Sequence, residues 1–355
     1  MSAYSDLYRR IQSAEALPAF SPETLAEHFG LPQDCFAASQ DDPDLVLCTR
    51  RHADRSAEGY LLKGTFFFRR TRRIVRAYPK ILYGRQRQPG MPFAVQAEVE
   101  LLSCLASGGI LFEEKLDGVN IRVYAREGSI RFATRQRHDG SNPLGLQPWG
   151  EIARRVLQAR YPGALALAHE GCVPVFELLS PEFAGAIRYS EEDAVLIDVI
   201  RSDHRFADRA EKEELAARHG LRAARVVSRV DGAQPAHEFH KALRGLEHYA
   251  HELGIEGMVA KASRALADGG RGDQVFLKVK TEELRRLHRS VNLPDRILRA
   301  TIGKVADGLG TPDLADVAAV VDLVAEDLEE DAETRVGPEL RERIDHLYRA
   351  WLDRD

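Results

Sequence analysis

The chain has 355 residues, enough for two or three domains that each bury a core. With 44% apolar and 30% charged residues it excludes a disordered chain, and its net charge of −5 excludes a polyanion binder recognisable by overall charge alone. Cys35, Cys48, Cys104 and Cys172 share no C-x-x-C spacing, which argues against a zinc ribbon and a disulfide framework. The start shows no basic-then-apolar leader and no apolar run approaches membrane-spanning length, so a cytoplasmic protein is expected, without a membrane partner.

Residues 1 to about 58 read as a helical and loop segment. Tyr4, Leu7, Tyr8 and Ile11 fall on one helical face, and Ser21-Pro22-Glu23-Thr24 has the form of a capped helix start. Tyr60 to Phe68 is strand-like. From Gly59 to Ala97 there are nine Lys/Arg and no Asp/Glu, whereas from Glu282 to the end acids outnumber bases eighteen to eleven. Within the basic stretch, Arg72, Arg73, Arg76 and Lys80 are candidates for contacts to nucleic-acid phosphates, with Phe and Tyr nearby for base stacking. A solvated charge run explains the same residues, and the pattern leaves both readings open.

A helix is expected from Val95 to Leu105, ended by Gly108-Gly109. Further helices are expected over 151–161, 210–219 and 238–253. Short strands are expected at 173–178, 194–200, 226–227, 255–261 and 275–279. After Thr281 no strand is evident, and three or four helices are expected. The domains read as a 1–97 N-terminal segment with the basic stretch, a 98–281 α+β domain, and a 282–355 helical C-terminal domain.

The most informative stretch is Phe112-Glu113-Glu114-Lys115-Leu116-Asp117-Gly118-Val119-Asn120. A lysine stands where one strand ends and a tight Asp-Gly turn begins. Val119, Ile121 and Val123 then alternate with Asn120, Arg122 and Tyr124, and a Glu127-Gly128 turn leads into Ile130-Arg131-Phe132, the pattern of an antiparallel hairpin. Lys-x-Asp-Gly is short, and alone it is more often an exposed turn than a site. Residues further along the chain give it weight. Glu177 interrupts an apolar strand, Glu256 opens Glu-Gly-Met-Val-Ala-Lys, and Lys278 and Lys280 share one face of a strand whose other face carries Val275, Leu277 and Val279. Two lysines side by side call for an anion between them, and charged residues are rarely buried unpaired. A polar cleft lined by these groups is expected, although any one of them alone fits an edge strand facing water.

Glu-Lys-x-Asp-Gly, Phe-Glu-Leu, Glu-Gly-Met-Val-Ala-Lys and Leu-Lys-Val-Lys, in that order, resemble the covalent nucleotidyltransferase superfamily of polynucleotide ligases and capping enzymes. Asn120 after the turn is similar to the RNA-ligase form. Arg76-Ala-Tyr-Pro-Lys80 upstream and a helical tail are similar to the archaeal homodimeric RNA ligases that circularise RNA. The resemblance spans roughly residues 72 to 281 and implies an antiparallel-sheet, ATP-grasp-like nucleotidyltransferase core with an N-terminal extension and an all-helical C-terminal domain.

The resemblance further implies an ATP-dependent RNA ligase that joins 3′-hydroxyl and 5′-phosphate ends through a lysyl-AMP and an RNA-adenylate. Lys115 would be the nucleophile. Glu256 would orient it or hold a metal, Mg²⁺ or Mn²⁺. Lys278 and Lys280 would contact the α-phosphate and leaving group. Glu177 would bind the ribose, Asn120 phosphate or metal, and Arg135 would be the arginine that follows the hairpin. Glu113, or the backbone near Glu114, would read the adenine. RNA, end-healing enzymes and a second copy of the chain are the implied partners. One departure stands out: the strand Ala194-Val195-Leu196-Ile197-Asp198 lacks the family's aromatic that stacks on adenine, so an aliphatic side chain, Phe176 or Tyr189 would replace it. A DNA ligase or a capping guanylyltransferase would usually carry a barrel after the last Lys-x-Lys, whereas this tail reads as helical and acidic. A non-catalytic RNA-binding relic would not need every charged position. In the tail, Leu314, Val317, Val320, Val321, Val324 and Leu328 repeat at helical spacing, as a core stripe or a dimer face.

Overall fold

The computed structural model describes residues 7–48, 57–79, 81, 101–104, 109–135, 137–140, 149–181, 187, 189–230, 255, 257–265 and 271–280. The expected helix over 238–253, the tail from 282, and the side chains of Lys80, Glu256 and Lys280 lie outside the described residues.

In chain order the elements are α1 (Leu7–Ala14), α2 (Pro22–Phe29), β1 (Phe36–Ala38), β2 (Leu45–Cys48), α3 (Ala57–Leu62), β3 (Phe66–Phe68) and β4 (Ile74–Val75). Then come β5 (Ile110–Lys115), β6 (Val119–Arg126), β7 (Ser129–Ala133), α4 (Trp149–Arg160), α5 (Gly163–His169), β8 (Val173–Leu179) and β9 (Asp193–Ile200). The described set closes with α6 (Arg209–Arg218), β10 (Val226–Val230), β11 (Gly257–Ala265) and β12 (Arg271–Lys280). The strands form three four-stranded sheets in the orders β1-β2-β3-β4, β10-β5-β11-β12 and β7-β6-β8-β9, and every pairing within them is antiparallel.

Local chemistry explains several of these elements. Ser21 accepts from the Thr24 amide while the Thr24 hydroxyl accepts from the Ser21 amide, and Pro22 opens α2. Asp208 and Glu211 form the same reciprocal box at the start of α6. Glu127 and Gly128 take φ of 50° and 76°, the paired positive values that a two-residue hairpin turn of the right twist requires.

The period-two alternation decides the layers. In the middle sheet, Ile110, Phe112, Met258, Ala260, Val275, Leu277 and Val279 turn to one side and share a core with Leu7, Ile11, Phe20, Leu25, Phe29 and Phe67. The N-terminal residues therefore roof this sheet. In the third sheet, Ile121, Val123, Phe176, Leu178, Ala194 and Leu196 face α4, α5 and α6. The remaining faces of the two sheets meet each other, with Tyr124, Val175, Val259 and Phe276 in the apolar part of the junction. Charged side chains from both sheets enter the same junction.

Three expectations change. Residues 60–68 are not one strand: Tyr60 to Leu62 end a buried helix, Gly64 at φ 84° turns the chain, and only Phe66–Phe68 pair as a strand. A short apolar run fits either element, and periodicity does not separate them. The N-terminal segment contributes a sheet as well as helices, through strands too short to show alternation. α4 ends before Pro162-Gly163, within one residue of the expected 161, but α5 starts immediately. A Cβ at Gly163 would lie 2.0 Å from the His219 carbonyl oxygen, so the close helix contact requires glycine.

Candidate active site

Lys115 is the last residue of β5, and its strand register places it opposite Gly257, which in turn stands opposite Lys280. Two residues back, Glu113, Val259 and Lys278 form the next row. Directly paired residues of an antiparallel sheet project to the same side, so this face presents Lys115 and Lys278 beside the register positions of Glu113 and Lys280. Lys278 is partly exposed there, while Val275, Leu277 and Val279 are buried on the other side. The expected division of the 275–280 strand into an apolar and a lysine face is present.

The opposing wall comes from β6 and β8. Asn120 pairs with Glu177. The Glu177 carboxylate accepts from the Gly118 amide at 3.1 Å, which ties the turn after Lys115 to β8. A Cβ at Gly118 would lie 2.2 Å from the Leu178 carbonyl oxygen, so this position of the turn admits glycine alone without a shift. Asp117 accepts from the Ile187 amide at 3.2 Å and donates its own amide to the Tyr189 hydroxyl at 3.0 Å. Burial pushes the Tyr189 phenol up to about 12. Asn120 Oδ1 is buried without a hydrogen bond, an oxygen acceptor with unused capacity beside Glu177.

Beneath this cleft lies a cluster of five charges. Glu113 is 2% exposed. It takes hydrogen bonds from Lys212 at 2.5 and 2.6 Å and from Arg209 at 2.9 Å, and pairs with Lys261 at 2.9 Å. Lys261 also donates to Asp198 at 2.6 Å and to the Ile197 carbonyl at 2.7 Å. Burial works against the Glu113 anion, but Lys261 and Lys212 outweigh it and bring the group to about 2. Burial, with repulsion from Lys261, lowers Lys212 to about 8. The expectation that the Glu113 side chain reads adenine is therefore corrected: its carboxylate is saturated inside the protein. Glu114 points to the other side, where its carboxylate accepts from the Arg225 amide and its amide donates to the Arg225 carbonyl, both at 2.9 Å.

Of the candidates for the base platform, Phe176 is fully buried on the helix side of its sheet and is unavailable. Ile197 and Tyr189 are partly buried and pack on the small cluster of Leu116, Leu179, Val195 and Ala224. Arg135 lies just beyond β7, half-buried, with its backbone against Gly64.

The basic stretch is corrected more fully. Arg76 is 3% exposed, forms a two-pronged pair with Asp273, donates to the His204 carbonyl at 2.6 Å and lies 4.5 Å over the Phe206 ring. Arg72 donates to the Glu15 carbonyl at 3.1 Å and covers the Phe20 ring at 4.4 Å. Arg69 donates to the carbonyls of Phe20 and Pro43, and Arg70 pairs with Glu127 at 3.2 Å. Arg73 is half-buried, and burial lowers it. Arg69 and Arg72 are engaged within the N-terminal layer and Arg76 ties it to the core, while the Arg70 side chain stays 70% exposed. Their partners are distant in sequence, which is why an acid-free run looked unpaired.

Sequence reasoning missed Arg122. The alternation places it with Asn120 and Tyr124 on the polar side of β6, yet it is 0% exposed and donates to the carbonyls of Arg76 at 2.8 Å, Gly64 at 2.9 Å and Thr134 at 3.0 Å. It stacks 4.3 Å over Phe66. Its signal was weak: an arginine on the inward parity of a strand otherwise bearing Asn120 and Tyr124.

Two antiparallel sheets thus face each other, with a lysine at a strand end between them. Residues 109–280 match the RNA ligase family, and they include both sheets around Lys115. An RNA ligase of Thermovibrio ammonificans, named provisionally as such, is 29% identical over 197 residues, or 53% of this chain and 46% of that protein. The match thus spans just under half the length of that relative. Among solved structures, an archaeal ATP-dependent RNA ligase aligns over 90% of this chain and 80% of its own at 16% identity and TM-score 0.52. A provisionally named ATP-dependent DNA ligase from Aquifex aeolicus aligns over 94% and 78%, also at 16% identity, with TM-score 0.50. At that identity the structures show a shared fold. The family match thus concerns residues 109–280, and the solved structures add a likeness of fold. Among the described residues no helix is long and apolar enough to cross a membrane.

Proposed function

We propose that the protein is an ATP-dependent RNA ligase with Lys115 as its nucleophile. The observation that carries this reading is the cleft itself. Lys115 and Lys278, with the Lys280 position, stand on one wall, and Asn120 and Glu177 stand on the other. Such a cleft suits a nucleotide whose phosphates meet lysines and whose ribose meets a carboxylate.

The neutral Lys115 amine attacks the α-phosphorus of ATP. A nitrogen–phosphorus bond forms, the bond to pyrophosphate breaks, and the amine gives up a proton. The AMP then moves to an RNA 5′-phosphate, releasing Lys115. A 3′-hydroxyl attacks the activated phosphate, closing the phosphodiester and releasing AMP. Lys278 and Lys280 offset the charge that develops on the phosphate oxygens. Glu177 accepts from ribose hydroxyls, and Ile197 with Tyr189 gives the base an apolar surface in place of the family's aromatic.

Among the described residues no group of three His, Cys, Asp or Glu could hold a metal. The buried, unused Asn120 Oδ1 beside Glu177 nevertheless suits a hard divalent cation, and the family resemblance adds Glu256 as a donor. Mg²⁺ or Mn²⁺ held there would neutralise phosphate charge. A second copy of the chain would pair through the stripe at 314–328, which sedimentation tests, and end-healing enzymes would supply the 5′-phosphate and 3′-hydroxyl.

The test is incubation with α-labelled ATP and Mg²⁺ followed by a denaturing gel. Label retained on the wild-type chain and absent from Lys115→Ala supports the mechanism, whereas no label from ATP refutes it. Matched RNA and DNA strands with 5′-phosphate ends then separate RNA joining from DNA joining.

A further inference from the structure

Lys212 lies on α6, ninety-seven positions from Lys115 in sequence, and belongs to none of the motifs that define the cleft. Its ammonium group uses its donors on three acceptors: both oxygens of Glu113, at 2.5 and 2.6 Å, and the Ile197 carbonyl at 3.0 Å. Lys261 is its counterpart, touching Glu113, Asp198 and the same Ile197 carbonyl. Each lysine bridges two strands that belong to different sheets. One is β5, which ends in Lys115. The other is β9, whose Ile197 stands on the proposed base platform. Glu113 is two residues before the nucleophile, about 6.7 Å along an extended strand. A shift of its carboxylate therefore reaches Lys115 through a short, stiff segment.

We propose that Lys212 is a positioning residue for adenylation. Clamped to Glu113 and to the Ile197 carbonyl, it sets the spacing between the nucleophile strand and the surface on which the nucleotide base rests. It touches neither substrate nor reacting atoms. This inference rests on the ligase reading above.

Stability alone does not call for such a cluster, because buried ion pairs replaced by apolar groups often leave stability unchanged. The directional feature is the shared carbonyl. Two ammonium groups converge on one backbone oxygen, which an ion pair made only for charge balance would not need. The single change Lys212→Met leaves Glu113 with Arg209 and Lys261 but alters the charge balance of the cluster along with its geometry, and is a poor test. The double variant Glu113→Gln/Lys212→Met removes one charge of each sign. Lys261, paired with Asp198, then still donates to the Ile197 carbonyl.

The experiment compares two half-reactions of the double variant with wild type. The first is formation of lysyl-AMP from ATP, which needs Lys115 in register with the α-phosphate. The second is sealing of an RNA that already carries a 5′-adenylate, which needs no attack by Lys115. The expected result is lysyl-AMP formation slowed by about tenfold or more at saturating ATP, as for a misplaced reacting group. Sealing of the adenylated RNA and the KM for ATP would stay within about threefold. An equal fall in both half-reactions would reduce Lys212 to a structural residue and overturn the proposal, as would no fall in either. Absence of lysyl-AMP from the wild-type chain would overturn the ligase reading itself, and this inference with it.

Discussion

Replacing Arg122 by Met is expected to cost about 3 kcal/mol of folding stability. The guanidinium makes three short hydrogen bonds to the carbonyls of Arg76, Gly64 and Thr134. Each bond from a charged donor is worth roughly 1.5–3 kcal/mol, and each carbonyl left buried without a donor carries a similar penalty. Against this, burial lowers Arg122 to about 9, so removing the charge recovers several kcal/mol of desolvation. Met keeps most of the contact over Phe66, so little packing is lost. The difference lies near the 3–5 kcal/mol typical of breaking one side of a buried polar network. Equilibrium urea unfolding followed by circular dichroism would show the midpoint falling by about 1 M. Arg122→Lys should recover only part of this, because a point ammonium does not span three carbonyls as a planar fork does. A loss below about 1 kcal/mol, or full recovery by lysine, would refute the view that Arg122 fastens the N-terminal layer to the strand bearing Asn120.

Gly118→Ala would force the turn after Lys115 away from the Leu178 carbonyl, and lysyl-AMP formation should fall by about tenfold or more, consistent with displaced reacting groups; wild-type rates would refute the close approach. Hydrogen bonds from Arg205 hold Glu211 down to about 2, so its contribution to stability is complete above the ordinary 4.5 and is lost as pH falls toward 2. The thermal midpoint should therefore drop less between pH 5 and pH 3.5 in Glu211→Gln than in wild type, and parallel curves would sink this reading. Arg72→Ala should change RNA affinity by less than about twofold and leave its salt dependence unaltered, because the guanidinium is engaged with Glu15 and Phe20; a salt slope reduced by about one would restore Arg72 to the RNA contacts.

The sequence alone determined the parts governed by local spacing. Alternation of apolar residues made the 119–133 hairpin legible, and the same period split 275–280 into an apolar face and a lysine face. Gly118 and the Glu127-Gly128 pair announced their turns because few other residues take those backbone states or approaches. Lys115 at a strand end, with Glu177 and Lys278 on later strands, was visible because motif order survives where overall identity is low.

Only the tertiary structure decided which charges meet. Arg76 and Glu113 look equally available in a linear reading, yet one is buried against Asp273 and the other against Lys212 and Lys261. Residue type specifies a charge and strand parity specifies a side. Neither specifies the partner, because an ion pair across sheets depends on distances set by the packing of elements far apart in the chain. Arg122 shows the same limit. Its parity pointed it at the junction of two sheets, but three carbonyls from separate segments turned a buried cation from a liability into a fastening.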